Sequence, residues 1–464
     1  MALHRAARRA RASTVPRRLR VRAAQLLILL MTSLLTLFSL PTIARGQEAR
    51  RLERVEIEGK HRTDDWRILR RLALTPGEPI DATRLLQAKR ALEQTGFFRE
   101  VTVHTRPGSA PEQVIAVFGV EERSPHLRFG AGYEDLSGWY LLPVQVVADN
   151  LTGREESLRL SARLGYRLAG AALELGHETR GGGRWDLALS SATSDRVYYV
   201  DQLEVAQSVH EDLRRLRVEA PLGQSLTLEG SLTEGRAWAD SSARVYAADD
   251  TERRKHNQSI PFEDLPREVQ SDLGRRDLVR LGLALGLDAR GGPGLTQRGT
   301  RGRLRIHWTV DGDAVYPGGD LDLRGYRPIG PGAALASRLH LVLASSRAPF
   351  YERPYLGGLY SVRGFPSQSL SPPGGDLGTL TGSIELRVPW VGAADRPRLS
   401  ALVFADGGVG WRHAAPDDLS LGAGVGFRWR VPLLDHLGLD LGYPLTDTPA
   451  HEAFHVNGSL GWSF

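Results

Sequence analysis

The stretch Leu421-Gly422-Ala423-Gly424-Val425-Gly426-Phe427-Arg428-Trp429-Arg430 decides the fold. Side chains of an extended strand alternate between two faces. Leu421, Ala423, Val425, Phe427 and Trp429 therefore share one face, and Gly422, Gly424, Gly426, Arg428 and Arg430 the other. The same dyad recurs along the chain. Leu158, Leu160, Ala162, Leu164, Tyr166 and Leu168 oppose Arg159, Ser161, Arg163, Gly165 and Arg167. Leu281, Leu283, Leu285 and Leu287 oppose Arg280, Gly282, Gly286 and Asp288. At the end of the chain, Phe454, Val456, Gly458, Leu460, Trp462 and Phe464 oppose His455, Asn457, Ser459, Gly461 and Ser463.

Such a period has two physical solutions, a soluble sandwich or a transmembrane barrel with a lipid face and a polar lumen. Three features favour the barrel. Arginines recur on the inner face, where a sandwich would have to bury them unpaired. Aromatics sit near strand ends, as in an interfacial girdle. A leader sends the chain out of the cytoplasm. The pattern predicts a mainly β protein with about sixteen antiparallel transmembrane strands over residues 125–464. Short turns at Asn150–Arg154, Gly181–Gly183, Pro221–Gln224 and Ala289–Gly299 alternate with longer loops, and the charged loop Asp240–Gly274 marks the outer face.

The chain has 464 residues and no cysteine, which excludes disulfides, thiolate metal sites and a cysteine nucleophile. The net charge of +6 misleads. Residues 1–46 hold nine arginines and no acid, and without them the balance is −3. Basicity belongs to the leader, so nucleic-acid binding is not expected. An arginine-rich start, an apolar run from Leu26 to Leu40 and Ala44-Arg45-Gly46 read as a secretory signal over residues 1–46, cleaved before Gln47. A retained anchor and an organellar transit peptide are the alternatives. The apolar run is short for a spanning helix, which needs about 20 residues.

Residues 47–124 read as a small α+β module. Val55, Ile57 and Gly59 form a strand ending in a turn, and Thr63 or Asp64 can cap a helix carrying Trp66, Ile68, Leu69 and Leu72. Pro76-Gly77 breaks it. Asp81 caps a second helix with Leu85, Leu86, Ala88 and Leu92 on one face and Gly96 at its end. Strands follow through Val101 and Val103, and then over Val114–Val120.

Late in the barrel region lies a long Gly- and Pro-rich loop around Tyr355–Phe365, holding Val362-Arg363-Gly364-Phe365. A buried guanidinium needs fixed carboxylates. A carboxylate facing hydrocarbon is costly, so Asp406, in Phe404-Ala405-Asp406-Gly407-Gly408, is expected in the lumen. Ile384, Leu386 and Val388 claim the lipid face of the neighbouring strand, which turns Glu385 inward too. A loop folded into the lumen would bring Arg363 to both acids.

On these residues the chain resembles the BamA/TamA-type outer-membrane assembly superfamily, also called bacterial surface antigens. Val55-Glu56-Ile57-Glu58-Gly59, Leu74-Thr75-Pro76-Gly77 and Gly96-Phe97-Phe98-Arg99-Glu100-Val101 match a POTRA domain, and the family's barrel has sixteen strands. The family's Arg-Gly-Phe loop precedes its twelfth strand, and its arginine contacts strand carboxylates. Val362, Arg363, Gly364 and Phe365, with Glu385 and Asp406, match it here. Leu460, Trp462 and Phe464 look like the C-terminal signal of outer-membrane barrels. A single POTRA is fewer than assembly factors or two-partner secretion transporters carry.

The resemblance implies handling of polypeptides at the bacterial outer membrane, with the POTRA in the periplasm and no bond chemistry, cofactor or metal. Assembly of outer-membrane proteins is the leading expectation; a secretion pore or a passive channel are the others. Unfolded outer-membrane or secreted polypeptides, outer-membrane lipid and periplasmic or lipoprotein accessories are the partners implied. A seam between the last strand and a first strand over Leu127–Tyr133 would open sideways, weakened by Gly130 and Gly132 beside Phe129. His451-Glu452-Ala453-Phe454-His455 fits a zinc-protease pattern, but in a strand its histidines lie about 13 Å apart, too far for one metal. Gly422-x-Gly424-x-Gly426 is the small face of a strand, not a nucleotide loop.

Overall fold

A computed structural model describes residues 50–464 apart from 129–130, 135–137, 166–167, 180, 201–202, 224, 247–258, 292–297, 313, 331, 394–395, 413–416, 432–434, 447–453 and 461–464. The leader, Phe129, Gly130, Trp462, Phe464 and most of the His451–His455 motif thus lie outside the described residues.

The first unit runs β1 (Arg50–Glu58), α1 (Asp65–Leu72), β2 (Pro79–Ile80), α2 (Ala82–Gln94), β3 (Phe98–Pro107) and β4 (Gln113–Glu122). Its sheet has the order β2-β1-β4-β3, with β1 parallel to β4 and β3 on the free edge. Leu52, Val101, Phe118 and Val120 pack against Ile68, Leu72, Ala88 and Leu92 of the two helices. Asp81 caps α2, accepting from the Arg84 N–H at 2.7 Å. At α1 the expectation of a side-chain cap needs correction. Asp64 occupies the cap position without a cap bond, and the Thr63 hydroxyl donates to Glu122 instead, at 2.7 Å.

The second unit is a closed antiparallel barrel. Its strands are β5 (His126–Arg128), β6 (Ala131–Glu134), β7 (Gly138–Asp149), β8 (Glu156–Gly165), β9 (Leu168–Glu178), β10 (Arg184–Val200), β11 (Leu203–Pro221), β12 (Leu226–Ala239), β13 (Ala243–Tyr246) and β14 (Ser259–Ile260). After the short α3 (Arg267–Gln270) come β15 (Gly274–Asp288), β16 (Gly299–Asp311), β17 (Ala314–Ile329), β18 (Ala333–Ala344), β19 (Gly378–Ala393), β20 (Arg396–Trp411), β21 (Ser420–Val431), β22 (Asp435–Pro444) and β23 (His455–Leu460). β12 pairs directly with β15, leaving β13 and β14 as a hairpin in the intervening loop. β5 and β6 both pair with β7 and make one stave, so the described residues form sixteen staves.

The first strand expected over Leu127–Tyr133 is described on both sides of residues 129–130, as β5 and β6. Its register against β7 slips by one residue between Arg128↔Gln145 and Ala131↔Leu141. Pro143 of β7 lies within that stretch and has no N–H to give to a ladder. β23 closes the sheet beside this stave.

The alternation sorts the wall as hydrocarbon requires. Leu281, Val403, Trp429 and Leu439 stand exposed on the outside, while Glu385, Asp406, Arg428 and Asp440 are buried on the inside. A side chain displaced by one residue would change face, so the ladders are tightly specified.

The two units are joined by more than the chain. The β7–β8 turn holds Asn150 and Glu155 at positive φ, and Gly153 at +87°, where a Cβ would strike the Arg62 carbonyl. Asn150 donates to the Thr63 hydroxyl at 2.7 Å and accepts from the Glu155 N–H at 2.8 Å. The buried Glu155 carboxylate takes Arg67 at 3.1 Å and Arg70 at 2.7 Å, with Arg71 at 3.5 Å. Arg71 also pairs with Glu178 at the end of β9. Three arginines at helical spacing on α1 thus grip two turns of the barrel.

Two outcomes follow from this joint. Burial raises the Glu122 carboxyl, but donation from Thr63 and Arg62 outweighs it and holds the group at about 2. This depressed value stabilises the folded joint above the ordinary 4.5 and is lost as pH falls toward about 2. Deuterium exchange of the segment around Thr63 should stay slow at pH 4, and Glu122→Gln should speed it at pH 4 and above, with the difference fading toward pH 2. Glu155→Gln leaves three close guanidinia without their shared anion and should cost the joint about 3 kcal/mol. Spin labels on α2 and β9 should report a broadened distance distribution in that variant.

Candidate functional site

The loop between β18 and β19 crosses the lumen. Its first half is tied to the wall around β10 and β15. Arg196 donates to the Tyr351 carbonyl at 2.5 Å, Phe350 N–H to Asp272 at 2.8 Å, and Arg280 pairs with Glu352 at 2.6 Å. Tyr198, Val205, Leu265, Val269, Phe350 and Tyr351 form a buried apolar cap over this end.

The second half carries Val362, Arg363, Gly364 and Phe365, all buried, to the wall of β19–β22. Arg363 Nε and Nη2 bind Asp406 in a fork, at 2.7 and 2.8 Å. Nη1 reaches Glu385 at 2.6 Å, and Nη2 donates to Ser383 Oγ at 3.0 Å. The Arg363 backbone N–H donates to Asp406 at 3.0 Å. The guanidinium carbon sits 3.6 Å from the centre of the Phe404 ring, a cation–π contact. A planar fork with five donors suits this crowd of acceptors where lysine would not.

The register explains the convergence. Ser383 pairs with Asp406 and Glu385 with Phe404 across β19 and β20, and all four point inward. Glycine makes the room. Gly364 has φ +100°, and a Cβ there would lie 2.9 Å from the Tyr443 backbone. A Cβ on Gly422 would collide with the Arg363 carbonyl, and one on Gly442 with the Gly364 nitrogen. The small inward faces of β21 and β22 are the seat of the loop.

The site is larger than the sequence reading had it. Asp440 of β22 lies 3.4 Å from Arg363 Nη1 and is gripped by Arg428 of β21 at 2.6 and 2.9 Å. Arg387 binds the other side of Glu385 at 2.7 Å. Three arginines thus face three carboxylates with no net charge. The sequence reading missed Asp440; the signal for its inward direction is its place alone between Leu439 and Leu441, as Glu385 stands between Ile384 and Leu386. Arg428 showed only as one cation among many on inward faces. Of the other residues singled out, Gly132 lies in β6 and Leu460 ends β23, far in sequence from this cluster, while Phe129, Gly130, Trp462 and Phe464 fall outside the described residues. His455 begins β23 and faces inward.

Fold and site together define an outer-membrane β-barrel whose lumen holds an arginine-anchored loop and whose N-terminal side carries a POTRA-type module. Residues 150–464 match the Omp85 superfamily domain, and residues 51–123 match the surface antigen variable number repeat, the POTRA family. The chain belongs to the Omp85 superfamily, and its POTRA module stands in the periplasm. It is 21% identical over 432 residues to the outer membrane protein assembly factor BamA of Nitratidesulfovibrio vulgaris, covering 87% of this chain and 50% of that protein. A putative outer membrane protein assembly factor of Treponema pallidum is 26% identical over 139 residues, 29% of this chain and 16% of that one. The chain thus spans half the length of the first relative or less. In structure it resembles BamA from Haemophilus ducreyi lacking POTRA domains 1-3, with TM-score 0.60, 17% identity and 88% and 84% of the two chains covered. CdiB from Acinetobacter baumannii gives TM-score 0.56 at 16% identity, covering 88% and 73%.

Removing the guanidinium leaves buried carboxylates facing one another, a change worth roughly 3–5 kcal/mol. Arg363→Ala should release the loop rather than unfold the barrel. Limited proteolysis should then cut between residues 345 and 377 while heat-modifiable migration of the barrel persists. Arg363→Lys should restore protection only in part, and Asp440→Asn should loosen the loop less than either.

Proposed function

We propose that this protein inserts β-barrel clients into the outer membrane. The observation that carries the reading is where the loop is seated. Arg363 and Gly364 brace β19–β22, up to the stave next to the closing strand. The seam beyond that brace joins β23 to a first stave whose register against β7 slips beside Pro143. A wall stiff on one side and irregular in register next to its closure parts at the seam first. An opened seam offers unpaired N–H and C=O groups on which a client strand can form.

The POTRA module supplies a first contact. β3 is a free edge with exposed Arg99, Glu100, Thr102 and His104, able to take an extended client as an added strand. The α1 clamp ties the module that carries this edge to two turns of the barrel. This route needs no bond chemistry and no cofactor. The similarity to assembly factors supports insertion. The similarity to CdiB supports a second reading, passage of a polypeptide through the lumen, and predicts a large conductance once the loop is released.

The deciding experiment uses mature protein, residues 47–464, in liposomes, with a urea-denatured barrel client. The wild type should accelerate client folding, and Arg363→Ala and deletion of residues 47–124 should each remove the acceleration. The chain has no cysteine of its own. One cysteine placed in Ala131–Glu134 and one in His455–Leu460 can therefore lock the seam. Oxidation should stop insertion and reduction restore it. Unchanged insertion with a locked seam, or no acceleration beside a large conductance in Arg363→Ala, would move the reading to translocation.

A further inference from the structure

A row of arginines runs across the inner wall toward the loop. Cross-strand register places Arg301 of β16 opposite Arg324 of β17, and Arg324 opposite Arg338 of β18. The row continues through Ser383 to Asp406, the carboxylate that holds Arg363. Leu304, Ile306 and Trp308 stand exposed on the lipid face of β16, so Arg301, at the opposite parity, projects into the lumen.

Like charges directly opposite on adjacent strands destabilise a ladder unless an anion lies between them. Asp322 serves two of the three, at 2.6 Å from Arg324 and 3.1 Å from Arg338. Arg301 has no ion pair among the described residues. Its register partner Asp288 is gripped by Arg290 at 2.8 and 2.6 Å and lends Arg301 only its field. The nearby lumen carboxylates are also engaged, Glu229 by Arg303 at 3.0 Å and Asp320 by Arg305 at 2.6 Å. Arg301 is exposed to the lumen, and Arg338 donates to the Tyr360 carbonyl of the loop at 3.2 Å.

We propose that the Arg301–Arg324–Arg338 row is a binding site for carboxylate side chains of an extended acidic polypeptide segment entering the lumen. The inference rests on the polypeptide-handling reading above and names the chemistry of the segment. Charge selects the occupant: three arginines share the one carboxylate of Asp322, which does not pair with Arg301, the lumen side of Arg301 is open, and a guanidinium pairs with a carboxylate through two parallel hydrogen bonds. The site adjoins the ladder that ends at Asp406, so an acidic segment bound there lies beside the anchor of the loop. It competes with Asp322 for Arg338 and so bears on the Tyr360 contact.

The test uses the full mature chain in a zwitterionic detergent and two labelled unstructured peptides, one rich in Glu and one with every Glu replaced by Gln. Fluorescence anisotropy should show the Glu peptide binding roughly tenfold tighter or better, the worth of one or more charge-assisted hydrogen bonds. Arg301→Glu should abolish that preference, and Arg301→Gln should reduce it to an intermediate value, with heat-modifiable migration showing that each barrel is folded. Equal binding of the two peptides, or a preference that survives Arg301→Glu in a folded barrel, would overturn the proposal. The wild-type insertion assay separates the two levels. Peptide discrimination lost through Arg301 without any insertion activity would sink the insertase reading and leave the site standing. Insertion without discrimination would do the reverse.

Discussion

The interior of this barrel is organised by one buried guanidinium. Arg363 cannot shed its charge, and desolvating it is costly unless fixed anions replace the lost water. Asp406, Glu385 and Asp440 do so, each from a different stave. A loop cannot hold a charge at that depth by itself. Sheet register must present the three acids at one height, and glycines must let the loop backbone approach the wall. Breaking any of these conditions leaves charge stranded where water cannot reach it.

The outer surface answers the opposite demand. Hydrocarbon cannot satisfy backbone polar groups, so a sheet in a membrane must close on itself. Closure makes every strand depend on the register of its neighbours, and the stave with the poorest ladder becomes the point of give. Here the register slips where β5 and β6 pair with β7, in the stave next to β23. The Arg363 cluster stiffens the wall on one side of it. On the other side, Arg67, Arg70 and Arg71 bind α1 to the turns below β7–β10. The seam is thus flanked by two electrostatic fastenings, one in the lumen and one at the periplasmic mouth.

Much of this was legible in the chain. Alternation of Leu, Val and Trp with Gly, Ser and Arg is forced by a two-faced strand, and it announced the barrel and the inward direction of Glu385, while the cost of a carboxylate in hydrocarbon announced that of Asp406. The helical spacing of Leu85, Ala88 and Leu92 announced α2, and Asp81 its cap. What did not show was pairing at a distance. Thr63 read as a helix cap because local chemistry permits that role, yet the structure spends its hydroxyl on Glu122, 59 residues away. The register slip between the first strand and β7 left no mark on the first strand itself; the proline beside it lies on β7.

By itself, the sequence determined the class of fold, the face on which each strand residue lies, and the acids that Arg363 would need, because these follow from periodicity and the cost of charge in hydrocarbon. Tertiary structure alone decided that Asp440 and Arg428 complete the cluster, that α1 grips the barrel turns, and that Arg301, Arg324 and Arg338 stand in one row. Those facts depend on stagger between staves and on how two units dock. Stagger is a property of the closed sheet as a whole, summed over every ladder around it, and no single strand carries it.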